Sequence, residues 1–336
     1  MTHEPQQSGI RKSEGSRWPL ELELVASKMH TADIRGFTFR SVQGTSLPGF
    51  SAGAHIGVQT ITTEDMSLDT ERSYSLINSV DQSGQYEIAV KFEANGRGGS
   101  QRMHALKVGD RVRATLPKND FPLHAGPQEA VLIAGGIGVT PILSMARALV
   151  ASGTKFEFHY ACRTPESTAF HQEVMQSCGS SANMYFDHGD PSRGMNLKKV
   201  MACPSMKRHV YVCGPRPLID AVIATSRALN WDAGNVHFEL FGAPAAAAGD
   251  RACSVELRRS QRVLDIGPQQ SILDAMIDAG LDPMFDCRRG ECSVCAVRVL
   301  EGEVDHRDYA LSDEDRADQM CVCVSRAKGE KLVLDC

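Results

Sequence analysis

The feature that most constrains this chain lies near its C-terminus: Cys287-Arg-Arg-Gly-Glu-Cys292-Ser-Val-Cys295, with Cys323 following 28 residues after Cys295. Three thiols within nine residues demand a tight loop, and the fold around it must bring a fourth thiol back to them. The 336 residues carry 11 cysteines. Cys162, Cys178, Cys203, Cys213 and Cys253 are scattered singly, whereas Cys287, Cys292, Cys295, Cys321, Cys323 and Cys336 crowd the end. An odd count in a chain of this length does not suggest a disulfide framework. The opening MTHEPQQSGIRKSEGSR is polar and lacks the apolar core of an export sequence, so it reads as a disordered tail over 1–17. A reducing, cytoplasmic setting is expected, where clustered cysteines hold metal or do redox work.

The C-x4-C-x2-C…C spacing is that of plant-type [2Fe–2S] centres. Gly290 permits an unusual backbone angle, so that the loop's N–H groups can turn toward sulfur. The fourth thiolate is ambiguous by periodicity. Cys321 and Cys323 stand two apart in Met320–Val324, which reads as a strand and projects both to one face. Four thiolates also suit zinc, but zinc motifs usually pair two C-x2-C knuckles, and only Cys292–Cys295 forms one here. Around the loop, Ser254–Leu264 is strand-like with a turn, and Ser271–Ala279 is helical with Ser271 as N-cap. Ala296–Leu300 and Lys331–Leu334 are strands. This arrangement resembles a plant-type ferredoxin, a β-grasp fold, over roughly the last 85 residues.

Charge divides the chain in the same place. Asp250–Cys336 contains 18 acids and 12 bases, while the preceding 249 residues hold 23 acids and 24 bases, so the net −5 belongs to the cysteine-rich end. That asymmetry suggests a separate acidic module or docking surface and argues against a general nucleic-acid binder. With 42% hydrophobic and 23% charged residues, the chain has enough apolar material for several cores. Gly242-Ala-Pro-Ala-Ala-Ala-Ala-Gly-Asp250 reads as a linker, placed at 242–252 ahead of a module at 253–336.

A second boundary falls near Gly126, giving segments 18–125 and 126–241. Before it, Leu20–Val25, Phe37–Val42, His55–Thr62, Tyr86–Phe92 and Arg111–Leu116 are short β-forming runs at the spacing of an antiparallel barrel. After it, strands alternate with helices. Strands are expected at Ala130–Ala134, Phe156–Cys162, Met184–Asp187, Val210–Cys213 and Val236–Leu240, and helices at Thr140–Val150, Ser167–Ser177 and Pro217–Leu229. That order makes a wound parallel α/β domain. Ala130–Val150 carries only Arg147 as a charge and is long enough to cross a bilayer, but Gly135, Gly136, Gly138 and Pro141 fit a strand-turn-helix better. No membrane association is expected.

Gly135-Gly136-Ile137-Gly138-Val139-Thr140-Pro141 joins strand to helix in the manner of a phosphate-binding turn, with Pro141 suited to the first helical turn. Cys213-Gly214-Pro215 ends a second strand, and in a wound sheet both turns lie at the C-terminal strand edge where ligands bind. In the barrel, Arg72-Ser73-Tyr74-Ser75 puts Arg72 and Tyr74 on one face, so a planar ring could stack on Tyr74 while Arg72 meets its phosphate. Gly98-Gly99-Ser100 opens a helix over Gln101–Leu106 and offers a second anion-binding start. Arg163, Glu166 and Ser167 follow the second α/β strand and point both ways between the ribose of NADH and the 2′-phosphate of NADPH.

Arg-x-Tyr-Ser, a Gly-Gly-Ser helix start, Gly-Gly-x-Gly-x-Thr-Pro and Cys-Gly-Pro, in that order, resemble the ferredoxin–NADP⁺ reductase superfamily. With the C-terminal ferredoxin, residues 18–336 resemble the phthalate dioxygenase reductase family. The matching runs are Arg72-Ser-Tyr-Ser-Leu76, Val90-Lys91, Asn95-Gly-Arg-Gly-Gly-Ser100, Leu116-Pro-Lys-Asn-Asp-Phe-Pro122, His237-Phe-Glu-Leu-Phe-Gly242 and Cys323-Val-Ser-Arg-Ala327. The last of these selects Cys323 over Cys321 as the metal ligand beside Cys287, Cys292 and Cys295. The resemblance implies FMN rather than FAD, with the phosphate on the Asn95–Ser100 loop. It implies Tyr74 against the flavin ring, Ser75 near its reactive edge, and Ala89, Val90 and Lys91 along it. It further implies that Glu239 and Phe241 approach the flavin, that Cys213 sits beside the nicotinamide, and that NADH is the donor.

The expected activity is electron transfer: hydride from NAD(P)H to flavin, then single electrons through the cluster to a terminal oxygenase of Rieske type. Ser75, Cys213 and Glu239 are the residues expected nearest that chemistry. No Cys-x-His pair occurs, so the chain lacks the histidine ligands of a Rieske centre and the oxygenase must be a separate, transiently bound protein. A monomer is expected. A demethylating monooxygenase is the alternative acceptor. A redox sensor or metal-bound scaffold would leave the flavin and nucleotide motifs unused.

Overall fold

The computed structural model describes residues 18–59, 71–79, 84–96, 98–124, 129–242 and 249–336. The tail 1–17, the end of the expected strand His55–Thr62, Arg97, the boundary at 125/126 and most of the linker lie outside the described residues. The chain divides into two compact units, one of 1–214 with 218–238 and the other of 215–217 with 239–336.

The first unit opens with strands β1 (Leu20–Met29), β2 (Ile34–Ser41), β3 (His55–Gln59), β4 (Glu71–Ser75) and β5 (Tyr86–Lys91), then helix α1 (Gly99–Ala105) and β6 (Arg111–Ala114). They form one antiparallel sheet in the order β4-β3-β6-β1-β2-β5. Alternation drives it, since Leu22, Leu24, Phe37, Phe39, Ile56, Val58 and Ile88 all turn inward. The two outer strands meet just beyond β4. Ile77 N–H donates to the Glu87 carbonyl at 2.9 Å. Asn78, fully buried, donates to the Gln85 carbonyl and accepts from Glu87 N–H, both at 3.0 Å. A side-chain amide thus substitutes for a strand residue and completes the barrel.

The same unit continues with β7 (Glu129–Gly135), α2 (Val139–Ser152), β8 (Lys155–Cys162), α3 (His171–Cys178), β9 (Ala182–Phe186), α4 (Leu197–Val200), β10 (Arg208–Cys213), α5 (Arg216–Ala228) and β11 (Val236–Glu239). The sheet order is β11-β10-β7-β8-β9, with β7 parallel to both β8 and β10. Successive strands therefore run one way from β7 and then the other, which creates a switch point at the C-terminal ends of β7 and β10. The apolar stretch Ala130–Val150 is divided between β7 and α2, and among the described residues no helix is long and apolar enough to cross a membrane. Barrel and α/β sheet share one core, in which Ile77, Ala89 and Phe121 pack with Val139, Ile142, Met145 and Tyr211.

Helix α3 begins later than the expected Ser167. Thr164 and Ser167 cap each other around a single 3₁₀ turn at Pro165–Ser167, and Phe170 takes φ 58° before the helix starts. Those local hydrogen bonds compete with helix and win.

The second unit contains β12 (Cys253–Leu257), β13 (Arg262–Ile266), α6 (Ile272–Asp278), β14 (Ala296–Glu301), β15 (Val304–Asp305), β16 (Gln319–Cys321), β17 (Arg326–Ala327) and β18 (Lys331–Leu334). Five strands form the mixed sheet β13-β12-β18-β14-β16, in which β12 and β18 pair in parallel, and α6 packs its Ile272, Leu273 and Met276 into the core. Ser271 caps α6 as expected, accepting from Asp274 N–H at 3.0 Å. The strand expected over Met320–Val324 is corrected: β16 ends at Cys321, and Val324 and Ser325 N–H groups return to the Cys321 carbonyl in a turn. Cys321 thus ends the strand and Cys323 lies within the turn that follows, rather than both on one strand face.

Candidate functional site

The pyridine-nucleotide turn forms at the switch point. Gly136 takes φ 53°, a left-handed angle that favours glycine, and starts a 3₁₀ turn that runs into α2. Tyr160, on β8 opposite Ala134, donates its hydroxyl to the Gly136 carbonyl at 2.9 Å and fixes the turn from beneath. Burial pushes the Tyr160 hydroxyl well above its ordinary value, so it remains a donor. Thr140, buried, donates to the Ile137 carbonyl at 3.1 Å. Across the switch point, a Cβ on Gly138 would lie 2.2 Å from the Cys213 carbonyl oxygen, and one on Gly214 would lie 2.9 Å from Gly135 Cα. The two glycine turns therefore touch backbone to backbone. Gly135, Gly136, Gly138, Thr140, Pro141, Cys213 and Gly214 are brought to one edge, with Cys213 fully buried there. Arg163 is exposed just past β8, whereas the Ser167 hydroxyl is occupied by Thr164.

In the barrel, β4 pairs with β3 so that Ser75 faces His55 and Tyr74 faces Ile56. Ser75 is buried, and Tyr74 packs on the barrel core, where burial raises its hydroxyl well above the ordinary range against a smaller opposing pull from Arg72. Two motifs far apart in sequence meet here. A Cβ on Gly99 would stand 3.0 Å from Arg72 Cγ and 3.2 Å from Nε, so the Arg72 side chain lies across the start of α1. Gly98 takes φ 84° as the residue before that helix, and Ser100 Oγ accepts from Glu93 N–H at 3.0 Å. Ala89 and Val90 are buried on β5, Lys91 is exposed, and Ser73 points outward from β4. Sequence reading missed Asn78, Tyr160 and Arg147, whose Nη1 donates to the Ile77 carbonyl at 2.7 Å. Their partners are set by tertiary register, and no local pattern marks them.

In the second unit the cysteine loop departs from ordinary backbone at three places, with φ 55° at Arg288, 80° at Gly290 and 55° at Ser293. A Cβ on Gly290 would meet Val324 Cγ2 at 2.7 Å and Asp308 Cα at 3.0 Å, so the loop is pressed onto the turn that carries Cys323. The turned loop directs backbone donors at sulfur: Arg289 and Glu291 N–H groups donate to Cys287 Sγ at 3.3 and 3.4 Å. The thiols fall into two sets. Cys292 lies close enough to Cys287, and Cys295 close enough to Cys321 and Cys323, for each thiol to shift the proton affinity of its neighbour. The neighbouring Cys321 and Cys323 thiols pull the Cys295 thiol far below its usual range, while Cys321 and Cys323 are pushed up by Cys295 and by burial. A loop rich in N–H···S donors, presenting one pair of thiols and a second group containing Cys295 and Cys323, suits a two-iron, two-sulfide cluster. Glu239 is buried at the start of this unit and Phe241 is 43% exposed.

An antiparallel barrel with an aromatic-cation strand, a switch-point glycine turn and a cysteine loop of this kind define a flavin-dependent, iron–sulfur oxidoreductase that uses a pyridine nucleotide. Three family descriptions agree: residues 21–122 match an oxidoreductase FAD-binding domain, 132–223 an oxidoreductase NAD-binding domain, and 255–328 a 2Fe-2S iron-sulfur cluster binding domain. The chain is 39% identical to phthalate dioxygenase reductase of Burkholderia cepacia over 94% of its own length and 97% of that protein. It is 38% identical to the carnitine monooxygenase reductase subunit of Acinetobacter pittii, over 90% and 97%. The solved structure of phthalate dioxygenase reductase superposes with a TM-score of 0.74, covering 94% of this chain and 98% of that one. The chain belongs to the phthalate dioxygenase reductase family.

Proposed function

We propose that this protein is the NADH-dependent, FMN-containing reductase of a Rieske-type oxygenase acting on an aromatic acid or similar compound. The observation that carries the reading is the conjunction in one family-matched chain of the flavin barrel, the switch-point turn and the cysteine loop. When bound, a flavin accepts the hydride pair and passes electrons on singly, and a [2Fe–2S] centre takes one at a time. The residues supply binding and alignment, so no side-chain acid or nucleophile is required for the central steps.

In this reading Arg72 and the Gly98-Gly99-Ser100 helix start take the flavin phosphate, which their juxtaposition supports. Ser73, Tyr74 and Ser75 on β4 and Ala89, Val90 and Lys91 on β5 border the ring. Gly135, Gly136, Gly138, Thr140 and Pro141 receive the pyrophosphate, Arg163 the ribose, and Gly214 and Pro215 the nicotinamide end beside Cys213. Cys287, Cys292, Cys295 and Cys323 hold the cluster. FMN rather than FAD rests on the family resemblance and on Arg72 covering the Gly99 end, where a phosphate monoester terminates well. The protein works as a cytoplasmic monomer with domains at 18–125, 126–241 and 253–336, and meets its oxygenase transiently through the acidic C-terminal module.

The test is direct. Flavin released by heat should chromatograph as FMN, iron analysis should give two per chain, and both chromophores should bleach with NADH. Release of FAD, or bleaching only by NADPH, would overturn those parts. A monooxygenase acceptor is the second reading, favoured by the name of the carnitine monooxygenase reductase relative, and turnover with purified oxygenases of each kind separates the two.

A further inference from the structure

Between Cys287 and Cys292 stand two charged residues whose side chains are mostly buried: Arg289 at 13% and Glu291 at 15% exposure, paired at 3.0 Å. An ion pair at the surface needs no such enclosure, and burying one is costly unless its remaining donors and acceptors are used. One acceptor of Glu291 and one donor of Arg289 are used on the same residue. Glu291 Oε1 accepts from the Leu240 backbone N–H at 2.6 Å, and Arg289 Nη1 donates to the Leu240 carbonyl at 2.7 Å. Leu240 is itself 3% exposed. Two side chains thus do for one residue what a neighbouring strand would do, and they satisfy both of its buried backbone groups. The same two residues face the sulfur site with their backbones, because their N–H groups are the donors to Cys287 Sγ. The side chains hold Leu240, and the main chain between them holds the sulfur.

We propose that Arg289 and Glu291 form a clamp on Leu240 that fixes the N–H···S bonds to Cys287 and thereby sets the reduction potential of the cluster. They are positioning residues, since neither side chain touches sulfur. This inference rests on the reading that Cys287 ligates a [2Fe–2S] centre. Hydrogen bonds to ligand sulfur favour the more negative, reduced state, so a loosened loop lowers the potential.

Two variants with the same change of charge isolate the clamp. Glu291→Gln keeps an acceptor for Leu240 N–H, and Glu291→Leu does not. In the holoprotein, Glu291→Leu is expected to lower the cluster midpoint potential relative to Glu291→Gln by a tenfold shift of a one-electron equilibrium, about 59 mV. Amide hydrogen exchange at Leu240 should accelerate only in Glu291→Leu, and flavin bleaching by NADH should keep the wild-type rate in both. Arg289→Leu against Arg289→Gln, again equal in charge and differing in the donor kept for the Leu240 carbonyl, repeats the comparison from the other side of the clamp, should Glu291→Leu fail to retain iron. Equal potentials within each pair, or fast Leu240 exchange without a change in potential, would overturn the clamp. A wild-type protein without the two-iron spectrum would instead overturn the reading on which it rests.

Discussion

Gly138→Ala tests the contact on which the nucleotide site depends. Gly138 has φ −61° and ψ −6°, a conformation open to any residue, so the backbone angle does not require glycine. Space does. The added Cβ would sit 2.2 Å from the Cys213 carbonyl oxygen, 2.4 Å from its carbon and 2.7 Å from Gly214 N, and all three are main-chain atoms that no rotamer change can move. Restoring ordinary contact at roughly 3.5 Å requires the β7 and β10 turns to part by on the order of 1 Å. Overpacking of this kind costs about 1–3 kcal/mol, and a purely backbone obstacle places the loss near the upper end, about 3 kcal/mol. A misplacement of about 1 Å at a hydride-transfer site is worth about 100-fold in rate. Urea unfolding of the first unit and anaerobic stopped-flow bleaching of the flavin by NADH measure the two effects. Gly49→Ala is the control, because a Cβ there meets nothing within 4 Å. A Gly138→Ala protein with wild-type stability and a wild-type bleaching rate would refute the backbone-to-backbone contact of the two turns.

Further outcomes follow from other residues. Asn78→Ala should cost about 3 kcal/mol in urea unfolding, because it strands the Gln85 carbonyl and the Glu87 N–H inside the barrel seam. Ser293 holds φ 55° without being glycine, so Ser293→Gly should raise stability by up to about 1 kcal/mol, read as a higher melting temperature of the holoprotein. Burial, then His124 and His209, pull the His237 imidazole from 6.5 down to about 4, and its ring stacks 4.3 Å from that of His124. The unfolded chain therefore binds the proton more readily, so the stability is present above pH 6.5 and is lost as pH falls toward 4. The urea midpoint of wild type should drop across that window, and His237→Gln should flatten the drop.

The legibility of this chain follows from the range of the interactions involved. Features encoded over a few residues were readable: alternation in β1 to β6, the strand-turn-helix at Gly135–Pro141, the Ser271 cap and the C-x4-C-x2-C loop each carry their cause in adjacent positions. Features that depend on register were not. Asn78 looks like any polar turn residue until β5 arrives beside it, and Tyr160 looks like any strand aromatic until β7 brings Gly136 above its hydroxyl. The start of α3 departs from the expected Ser167 because that residue looks like a first helical position, whereas its hydroxyl is committed to Thr164.

The fourth thiol shows where periodicity misleads even when the chemistry is right. Alternation assigns Cys321 and Cys323 to one face of a strand, which makes them equivalent. The chain instead turns at Cys321, because the N–H groups of Val324 and Ser325 both return to its carbonyl. Equivalence is therefore broken by backbone geometry: Cys321 ends β16 opposite Ala296, and Cys323 rides on the turn against which Gly290 is pressed. Gly290 approaches Val324, the neighbour of Cys323, to 2.7 Å as counted from a Cβ it does not have, so no larger residue could let the first three thiols close on this turn. The glycine that seemed necessary only for its backbone angle is needed equally for its size, because the loop lies directly against Val324 in the turn that follows β16.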